Sequence, residues 1–322
     1  MLEAGQVVAL GAGAYRLRKQ LAGSSYGVVW QASGRSADVA LKLVNRPQMA
    51  RALPAHRDRW IASANTEIVF LRSLRPWDER HIVRLLDSGD HDGLPVMALE
   101  LMDTDLGRHL AGERAVGRRV SLAAILGWME QINQALAKVH QYGWNYLDLK
   151  PANVLLGASR ENVKLADFGT SRARAGAPCP GFAGTANWQS PEQFFPTSRN
   201  TYDTDWRSDY FALGAMFYYL VTDGLPLRFC RDCGQAWREH QSRGAQQMLA
   251  ANRGKLPATL SGDEAALFVR RLRQRANGAR TTGATASLAL LRALLAADRG
   301  ERPAHAMQIA RMIAAIRVRA MS

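Results

Sequence analysis

The chain has 322 residues, 47% hydrophobic and 22% charged, a composition typical of a globular protein that excludes a disordered or fibrous chain. The formal net charge is +14, and arginine supplies most of the basic residues, 36 against 6 lysines. The arginines are scattered along the chain, a pattern that does not favour a nucleic-acid-binding stripe.

Targeting signals are not evident in the sequence. The opening residues, MLEAGQVVALGAGAY, carry no basic cluster, and the longest apolar run, Phe211 to Val221, is too short to span a bilayer. The three cysteines cannot form a disulfide framework, which is consistent with a reducing compartment. We therefore expect a cytoplasmic protein without membrane partners, and the excess of arginine over lysine suggests a bacterial source.

The cysteines leave one alternative open. Cys230 and Cys233 form a CxxC pair with His240 nearby, but only Cys179 offers an obvious fourth ligand for a structural zinc ion. We favour two ordinary thiols in a loop over zinc or redox chemistry.

Strand-like segments dominate the first third of the chain. YRLRKQL, VVWQA and DVALKLV are separated by short Gly/Ser turns, and a polar segment from Asn45 to Asp58 leads to the helical pattern NTEIVFLRSL. HIVRLLD and LPVMALELM follow as two further strands. We predict a small five-stranded lobe with one helix at residues 13–102, after an N-terminal extension at residues 1–12.

The pattern becomes mainly helical over residues 103–322. Ser121 to His140 predicts an amphipathic helix with Ser121 as its N-cap, and Asp209 to Val221 predicts a helix buried on all sides. NVLLG and NVKLADFG predict two short strands. The fold class is therefore α+β with two lobes, and we expect a ligand-binding cleft between them.

A long basic region occupies residues 228–282. Its densest cluster, Arg270, Arg271, Arg273 and Arg275, lies on a predicted helix, where a solvated face is favoured over a binding patch.

A run of small residues between the first two predicted strands would let backbone amides approach phosphate groups. Such turns are common, so the run needs support from other residues. It comprises Leu21, Ala22, Gly23, Ser24, Ser25, Tyr26, Gly27, Val28 and Val29.

A lysine lies on the next predicted strand. Lys42, in VALK, is flanked by apolar residues, and burying its charge without a partner is costly. Glu67, in the following predicted helix, is the natural partner. The alternative is an edge-strand lysine that reaches water.

The most informative segment is YLDLKPANVLL, followed by DFG. Asp148 can accept the proton of a hydroxyl or orient that hydroxyl, and Lys150 can balance phosphoryl charge. Asn153 and Asp167 supply oxygen ligands suited to Mg²⁺. DLKPAN and DFG at this spacing predict a phosphotransferase.

These motifs resemble those of the eukaryotic-type, or Hanks-type, Ser/Thr protein kinase family over about residues 15–318. An SPE stands at Ser190 to Glu192 where the family has APE, Asp209 lies in SDYFALG, and Arg302 lies in GERP. The resemblance implies a Glu192–Arg302 ion pair, and it implies that Asp209 holds the backbone of the catalytic loop.

The resemblance also implies ATP and Mg²⁺ as cofactors and a protein with a Ser or Thr acceptor as substrate. Thr185, in GTANWQSPE, would bridge Asp148 and Lys150. The adenine site would have Leu99 at its back, Glu100 and Met102 as its hinge, and Val29, Ala40 and Leu155 around the base.

The chain departs from the family pattern at two places. The first two loop glycines fall on Ala22 and Ser24, and Tyr-Leu-Asp replaces His-Arg-Asp. We expect Tyr146 to pack in the core, whereas Leu147 removes the arginine that meets a phosphorylated activation segment. Because Ser, Thr and Tyr are also absent between Ser171 and Thr185, we predict activity that needs no phosphorylation there.

Three functions remain open at this level. The first is an active Ser/Thr kinase, the second a pseudokinase that binds ATP and a protein partner, and the third a kinase that phosphorylates small molecules. The set Lys42, Glu67, Asp148, Asn153 and Asp167 is complete, which favours activity. The peptide-docking marks SPE, Asp209 and Arg302 disfavour a small-molecule acceptor.

Overall fold

The computed structural model of the protein describes residues 2–174, 184–197, 201–275 and 281–321. These residues divide into two compact units. The first contains residues up to Asp103 together with Ala166–Ser171, and the second contains Thr104–Leu165 and the chain from Arg172 onwards.

The first unit is built on one antiparallel sheet of six strands. Two helices accompany the sheet, α1 (Arg46–Arg51) and α2 (Asp58–Ser73). The strands are β1 (Val7–Leu10), β2 (Gly13–Gly23), β3 (Gly27–Ser33), β4 (Asp38–Val44), β5 (Leu85–His91) and β6 (Leu94–Glu100). Their order across the sheet is β1-β2-β3-β4-β6-β5.

The prediction of five strands and one helix for this unit was wrong in detail. Residues 7–10 were assigned to an N-terminal extension, but Val8 is fully buried in the sheet core and pairs with Tyr15. The segment is a strand because it pairs antiparallel with β2, and the pairing places Val8 on the buried face of the sheet. Helix α1 was missed because its segment is polar, although Asn45 caps it by accepting the backbone N–H of Gln48. Helix α2 starts at Asp58, earlier than its apolar pattern indicated.

The second unit is mainly helical. Almost every residue of its helix α6 (Trp206–Val221) is buried, as the sequence predicted. Gly214 on α6 gives close packing, because a Cβ there would lie 2.8 Å from the Cβ of Leu294. The helices are α3 (Leu106–Ala115), α4 (Leu122–Gln141), α5 (Pro191–Phe194), α6 (Trp206–Val221), α7 (Arg228–His240), α8 (Gly244–Ala251), α9 (Gly262–Arg275), α10 (Thr281–Leu294) and α11 (Ala306–Met321).

The second unit also contains two small sheets of short strands. β7 (Thr104–Asp105), β9 (Val154–Leu156) and β10 (Val163–Leu165) form one small sheet, and β8 (Trp144–Asn145) pairs with β11 (Arg172–Ala173). Ser121 caps α4 by accepting the backbone N–H of Ala124, which confirms the predicted N-cap.

The α+β class with two lobes, one strand-rich and one helical, is confirmed. Within the described ranges, no helix has the length and apolar character that crossing a membrane requires.

Candidate active site

The run of small residues predicted to cover phosphates forms the turn between β2 and β3. Ala22 pairs with Val29 across the hairpin, and Gly23 pairs with Val28. Ser24 closes the turn, because its backbone N–H donates to the carbonyl of Gly27 at 2.8 Å and its Oγ accepts the backbone N–H of Gly27 at 3.1 Å. The turn is therefore ordered by its own hydrogen bonds.

This turn is also held by residues that the motif does not include. The indole Nε1–H of Trp60, on α2, donates to the carbonyl of Ser25 at 2.7 Å, and the ring of Tyr26 lies 4.9 Å from the Trp60 ring. Asn45 Nδ2 donates to the carbonyl of Ser24 at 2.6 Å. Nothing in the sequence marked Trp60 for this position, since only the fold brings the start of α2 to the turn.

Lys42 lies on β4 between two carboxylates. Its Nζ is 2.5 Å from Glu67 Oε2 and 2.8 Å from Asp167 Oδ1, so the predicted Lys42–Glu67 ion pair is confirmed. Burial lowers the pKa of Lys42, but the attraction of Asp167 and Glu67 outweighs burial, and the net pKa is raised. Lys42 therefore stays protonated throughout the physiological pH range.

The DFG segment belongs to the same unit as Lys42. Phe168 is fully buried and stacks on Phe70 of α2 with 4.5 Å between ring centroids. Ser63 Oγ donates to the carbonyl of Gly169, and a Cβ on Gly169 would lie 2.3 Å from that oxygen. The absence of a Cβ leaves room for the Ser63 hydroxyl. The hydrogen bond to Ser63 and the stacking on Phe70 together attach the segment that presents Asp167 to α2.

The catalytic-loop residues lie together in the second unit. Asp148 is 5% exposed, and its Oδ1 accepts the hydroxyl of Thr185 at 2.7 Å. Its Oδ2 accepts Lys150 Nζ at 2.7 Å and Asn153 Nδ2 at 3.0 Å. Lys150 Nζ also donates to Thr185 Oγ1 at 2.9 Å, so the predicted bridge by Thr185 is present.

Asp209 of α6 accepts hydrogen bonds from the backbone of the catalytic loop. Its Oδ2 accepts the backbone N–H of Tyr146 at 2.9 Å, and its Oδ1 accepts that of Leu147 at 2.7 Å, as predicted. Tyr146 is fully buried, which confirms its expected place in the core. His140 Nε2 lies 2.8 Å from Asp209 Oδ2, a contact that the sequence analysis missed.

Both backbone polar groups of Leu147, its N–H and its carbonyl, form a hydrogen bond with a side chain. Its φ is 66°, in the left-handed region that non-glycine residues rarely adopt. Asp209 accepts its N–H, and Gln193 Nε2 donates to its carbonyl at 2.9 Å. Gln193 also forms a capping box with Ser190, whose Ser-x-x-Gln spacing could have identified it.

The predicted Glu192–Arg302 ion pair is confirmed. Two guanidinium nitrogens of Arg302 lie 2.7 and 2.9 Å from the two carboxylate oxygens of Glu192, a bidentate arrangement. Burial raises the pKa of Glu192, but Arg302 and Ser208 outweigh burial and hold that pKa below its ordinary value of 4.5. The pair ties α5 to the segment that precedes α11.

The predicted adenine-site residues fall in both units. Ala40 on β4 pairs with Leu99 on β6, and Val29 pairs with Lys42. Glu100 ends β6 and Met102 follows it, whereas Leu155 lies on β9 of the second unit. Their role toward a nucleotide stays a prediction.

The cysteines do not form a metal site among the described residues, where no group of His, Cys, Asp and Glu could hold a metal ion. Cys230 and Cys233 are buried on helix α7, not in a loop as expected, because they share its apolar face. Burial raises the pKa of both thiols. Cys179 lies outside the described residues, as does most of the segment between Ser171 and Thr185.

Sequence comparison decides the family. A model of the protein kinase domain matches residues 15–312. The chain belongs to the protein kinase family.

Similar kinases occur in distant organisms. The chain is 32% identical to the serine/threonine-protein kinase PknL of Mycobacterium tuberculosis over 158 residues, which are 48% of this chain and 37% of PknL. It is 28% identical to cyclin-dependent kinase F-4 of Oryza sativa over 211 residues, 65% of this chain and 42% of that kinase. It is 33% identical to cyclin-dependent kinase 1 of Encephalitozoon cuniculi over 156 residues, 48% of this chain and 49% of that kinase. The aligned residues span half or less of each of these kinases.

Proposed function

We propose that the protein transfers the γ-phosphoryl group of ATP to a Ser or Thr hydroxyl of a protein substrate. The observation that carries the proposal is the arrangement around Asp148, whose carboxylate is oriented by Thr185, Lys150 and Asn153. A carboxylate fixed in this way can orient a substrate hydroxyl and accept its proton, while the ammonium of Lys150 balances phosphoryl charge.

Lys42 is the proposed partner of the ATP phosphates. Two carboxylates keep its ammonium charged and fix its position, as a phosphate ligand requires. Magnesium, when bound, would neutralise phosphate charge, and the hard oxygen donors Asp167 and Asn153 are its proposed ligands. The β2–β3 turn is the proposed phosphate cover.

The adenine ring is assigned to an apolar site. We propose Val29, Ala40 and Leu155 as its contacts, Leu99 as the back of the site, and the Glu100 and Met102 backbone as its hydrogen-bonding edge. The partly buried position of Val29 and Ala40 on neighbouring strands supports this assignment.

Activity is proposed to be independent of activation-segment phosphorylation. Leu147 is 3% exposed and its peptide is held by Asp209 and Gln193, so this loop contains no buried arginine charge that a phosphate would have to neutralise. The hydroxyl of Thr185 is engaged by Asp148 and Lys150.

The test of the main proposal is transfer of radiolabelled phosphate from ATP with Mg²⁺ to the protein itself and to a generic basic protein. We expect labelling by the wild type and a loss of at least a hundredfold in Asp148→Ala and Asp167→Ala. Asp232→Ala, which removes an exposed carboxylate on α7, is the control and should label normally. Equal labelling by all variants would refute the proposal.

The alternative is a kinase-like scaffold that binds ATP and a protein partner. Ala22 and Ser24, which replace two glycines of the phosphate turn, favour it. ATP binding by the wild type without any labelling would select this alternative.

The regulatory proposal needs a separate measurement. Phosphatase-treated and untreated protein should have equal initial rates toward a protein substrate. A stoichiometric phosphate in the segment from Ser171 to Thr185 whose removal abolishes activity would contradict it.

A further inference from the structure

The four-arginine cluster of α9 divides between two faces of the helix. Arg275 is nearly fully buried and donates to the carbonyls of Val120 and Val221 as well as to Asp223. Arg271 lies one turn earlier and approaches Asp223 at 3.9 Å. These two arginines are held in internal contacts and are not free to bind a partner.

The other two arginines of the cluster, Arg270 and Arg273, are exposed on the opposite side of α9. Helix α10 adds Arg292, which lies one turn after Leu288. An open groove of about 790 Å³ runs between the two helices. We call it the arginine groove. Besides Gln274, it is lined by three arginines and by small or aliphatic residues, among them Arg270, Arg273, Arg292, Ala265, Val269 and Leu288.

The charges of the arginine groove are not compensated within the described parts of the chain. The three arginines make no ion pair or hydrogen bond there, and no lining residue carries a carboxylate. The residues outside the described ranges include no Asp or Glu, so no acidic side chain from those ranges can pair with these arginines. Three like charges in one groove repel one another, which favours an anionic occupant.

The nearest acids along α9 do not change this balance. Glu264 is engaged elsewhere, because its Oε1 accepts the backbone N–H of Arg228 and its Oε2 accepts the Ser261 hydroxyl. Asp263 lies seven residues before Arg270, or about 10 Å along the helix axis.

The chemistry of the groove distinguishes among anionic partners. Among the described residues, its lining contains no aromatic ring on which a nucleic-acid base could stack. The described residues of α9 and α10 expose no large hydrophobic side chain that could anchor in a membrane. The three guanidiniums can each bind a carboxylate, and the aliphatic residues between them can contact an apolar side chain. This combination matches a peptide in which acidic residues flank an apolar residue.

We propose that the arginine groove is a docking site for an acidic segment of a protein substrate, in which Glu or Asp side chains meet the arginines and an apolar residue contacts Val269 and Leu288. The assignment of the partner as a substrate rests on the proposed kinase function. Docking away from the phosphoacceptor would raise the effective concentration of that substrate without changing the chemical step.

Binding is tested first, without ATP. The probe is a fluorescein-labelled 12-residue peptide of repeated Glu-Glu-Leu, and its affinity is measured by anisotropy. We expect the triple variant R270E/R273E/R292E to weaken binding at least tenfold. The control R238E/R243E/R319E changes the net charge equally at exposed arginines outside the groove and should weaken binding less than threefold. Thermal unfolding checks that both variants remain folded.

Equal weakening by the two triple variants would overturn the proposal, because binding would then reflect net charge alone. Equally tight binding of a Gln-Gln-Leu peptide would also overturn it. Tighter, groove-dependent binding of an oligothymidylate or of phosphatidylserine vesicles would replace the acidic peptide with another partner and reject this proposal.

Substrate docking is tested with a peptide that joins the Glu-Glu-Leu segment to a generic Ser/Thr acceptor. The groove variant should raise KM for this peptide at least tenfold and leave kcat within twofold, while the untailed acceptor peptide is unaffected. Unchanged KM for the tailed peptide would refute docking. Binding without any phosphoryl transfer would instead refute the proposed kinase function and leave an acidic-segment site, so the two failures are distinguishable.

Discussion

Leu147 and its neighbours show how single residues hold the catalytic loop. A leucine at φ 66° stores strain of about 1–3 kcal/mol, which persists only where the surroundings fix it. Asp209 fixes the N–H of this residue and Gln193 fixes its carbonyl. Gly184 also approaches this carbonyl, since a Cβ on Gly184 would lie 2.4 Å from it. The residue before Asp148 is therefore positioned by backbone contacts and not by an arginine side chain.

The substitution Gln193→Glu should test this role. In this variant a carboxylate oxygen faces the Leu147 carbonyl, so the hydrogen bond from Gln193 is lost. The two buried oxygens also repel each other. We expect kcat to fall at least tenfold while KM for ATP changes less than twofold, measured by steady-state kinetics. Gln247→Glu, at an exposed position on α8, is the control. An equal effect of both variants, or an unchanged kcat in Gln193→Glu, would contradict the role.

At the scale of elements, α2 connects three parts of the first unit. Trp60 holds the β2–β3 turn, Glu67 pairs with Lys42, and Phe70 stacks on Phe168. Glu67 follows Trp60 by seven residues, about two helical turns, and Phe70 follows Glu67 by three, so all three lie along one helix. The turn lacks two of the glycines of the family, and its order comes in part from this helix.

Trp60→Phe separates the hydrogen bond from the ring contact. The variant keeps an aromatic ring near Tyr26 but loses the N–H donor to Ser25, a loss of about 1 kcal/mol. We expect KM for ATP to rise about fivefold, with kcat within twofold, because the proposed phosphate cover is less ordered. Trp77→Phe, at an exposed tryptophan of the same unit, should leave both constants unchanged. Unchanged KM in Trp60→Phe would show that the turn does not depend on this bond.

The Glu192–Arg302 pair links two elements and predicts a pH dependence. The folded pKa of Glu192 lies below its ordinary value of 4.5, so its contribution to stability is complete above that pH. The contribution is lost as the pH falls through the folded pKa.

The variant Glu192→Gln should therefore lose about 3–5 kcal/mol of unfolding free energy at pH 7, because the buried Arg302 keeps its charge without a carboxylate. The loss should shrink as the pH falls below about 4.5, as measured by urea unfolding across pH. Glu239→Gln, at an exposed glutamate, should cost less than about 0.5 kcal/mol. A loss in Glu192→Gln that does not vary with pH would contradict the pairing.

At the scale of the whole molecule, each unit has its own core, and the described residues include no group of His, Cys, Asp and Glu that could hold a metal ion. Cys230 and Cys233 contribute to the core of the second unit as small apolar side chains. Because burial raises the pKa of both thiols, they contain little reactive thiolate at neutral pH.

Thiol titration should therefore detect at most one reactive cysteine per native molecule and three after unfolding in denaturant. A zinc chelator should leave the melting temperature within about 1 °C, since the described residues contain no group of His, Cys, Asp and Glu that could hold zinc. A fall in melting temperature with chelator, accompanied by exposure of Cys230 and Cys233, would indicate a metal site.

The sequence by itself determined the pairing of functional groups wherever a motif fixed both partners. The Lys42–Glu67 pair was predicted because an unpaired buried charge is costly. The Thr185 bridge to Asp148 and Lys150 and the Glu192–Arg302 pair were implied by the resemblance of their motifs to those of the kinase family. The buried helix α6 was predicted for a similar reason, because a segment apolar on all faces has to lie inside.

Only the tertiary structure decided the contacts between residues that no local pattern relates. The strand β1, the Trp60 anchor and the Gln193 bond to Leu147 depend on how distant segments approach. The sequence also could not predict which arginines of the α9 cluster are buried. Helical spacing places them on two faces but does not say which face meets Asp223. Tertiary packing thus made two of these arginines structural and left two, with Arg292 from another helix, facing an open groove.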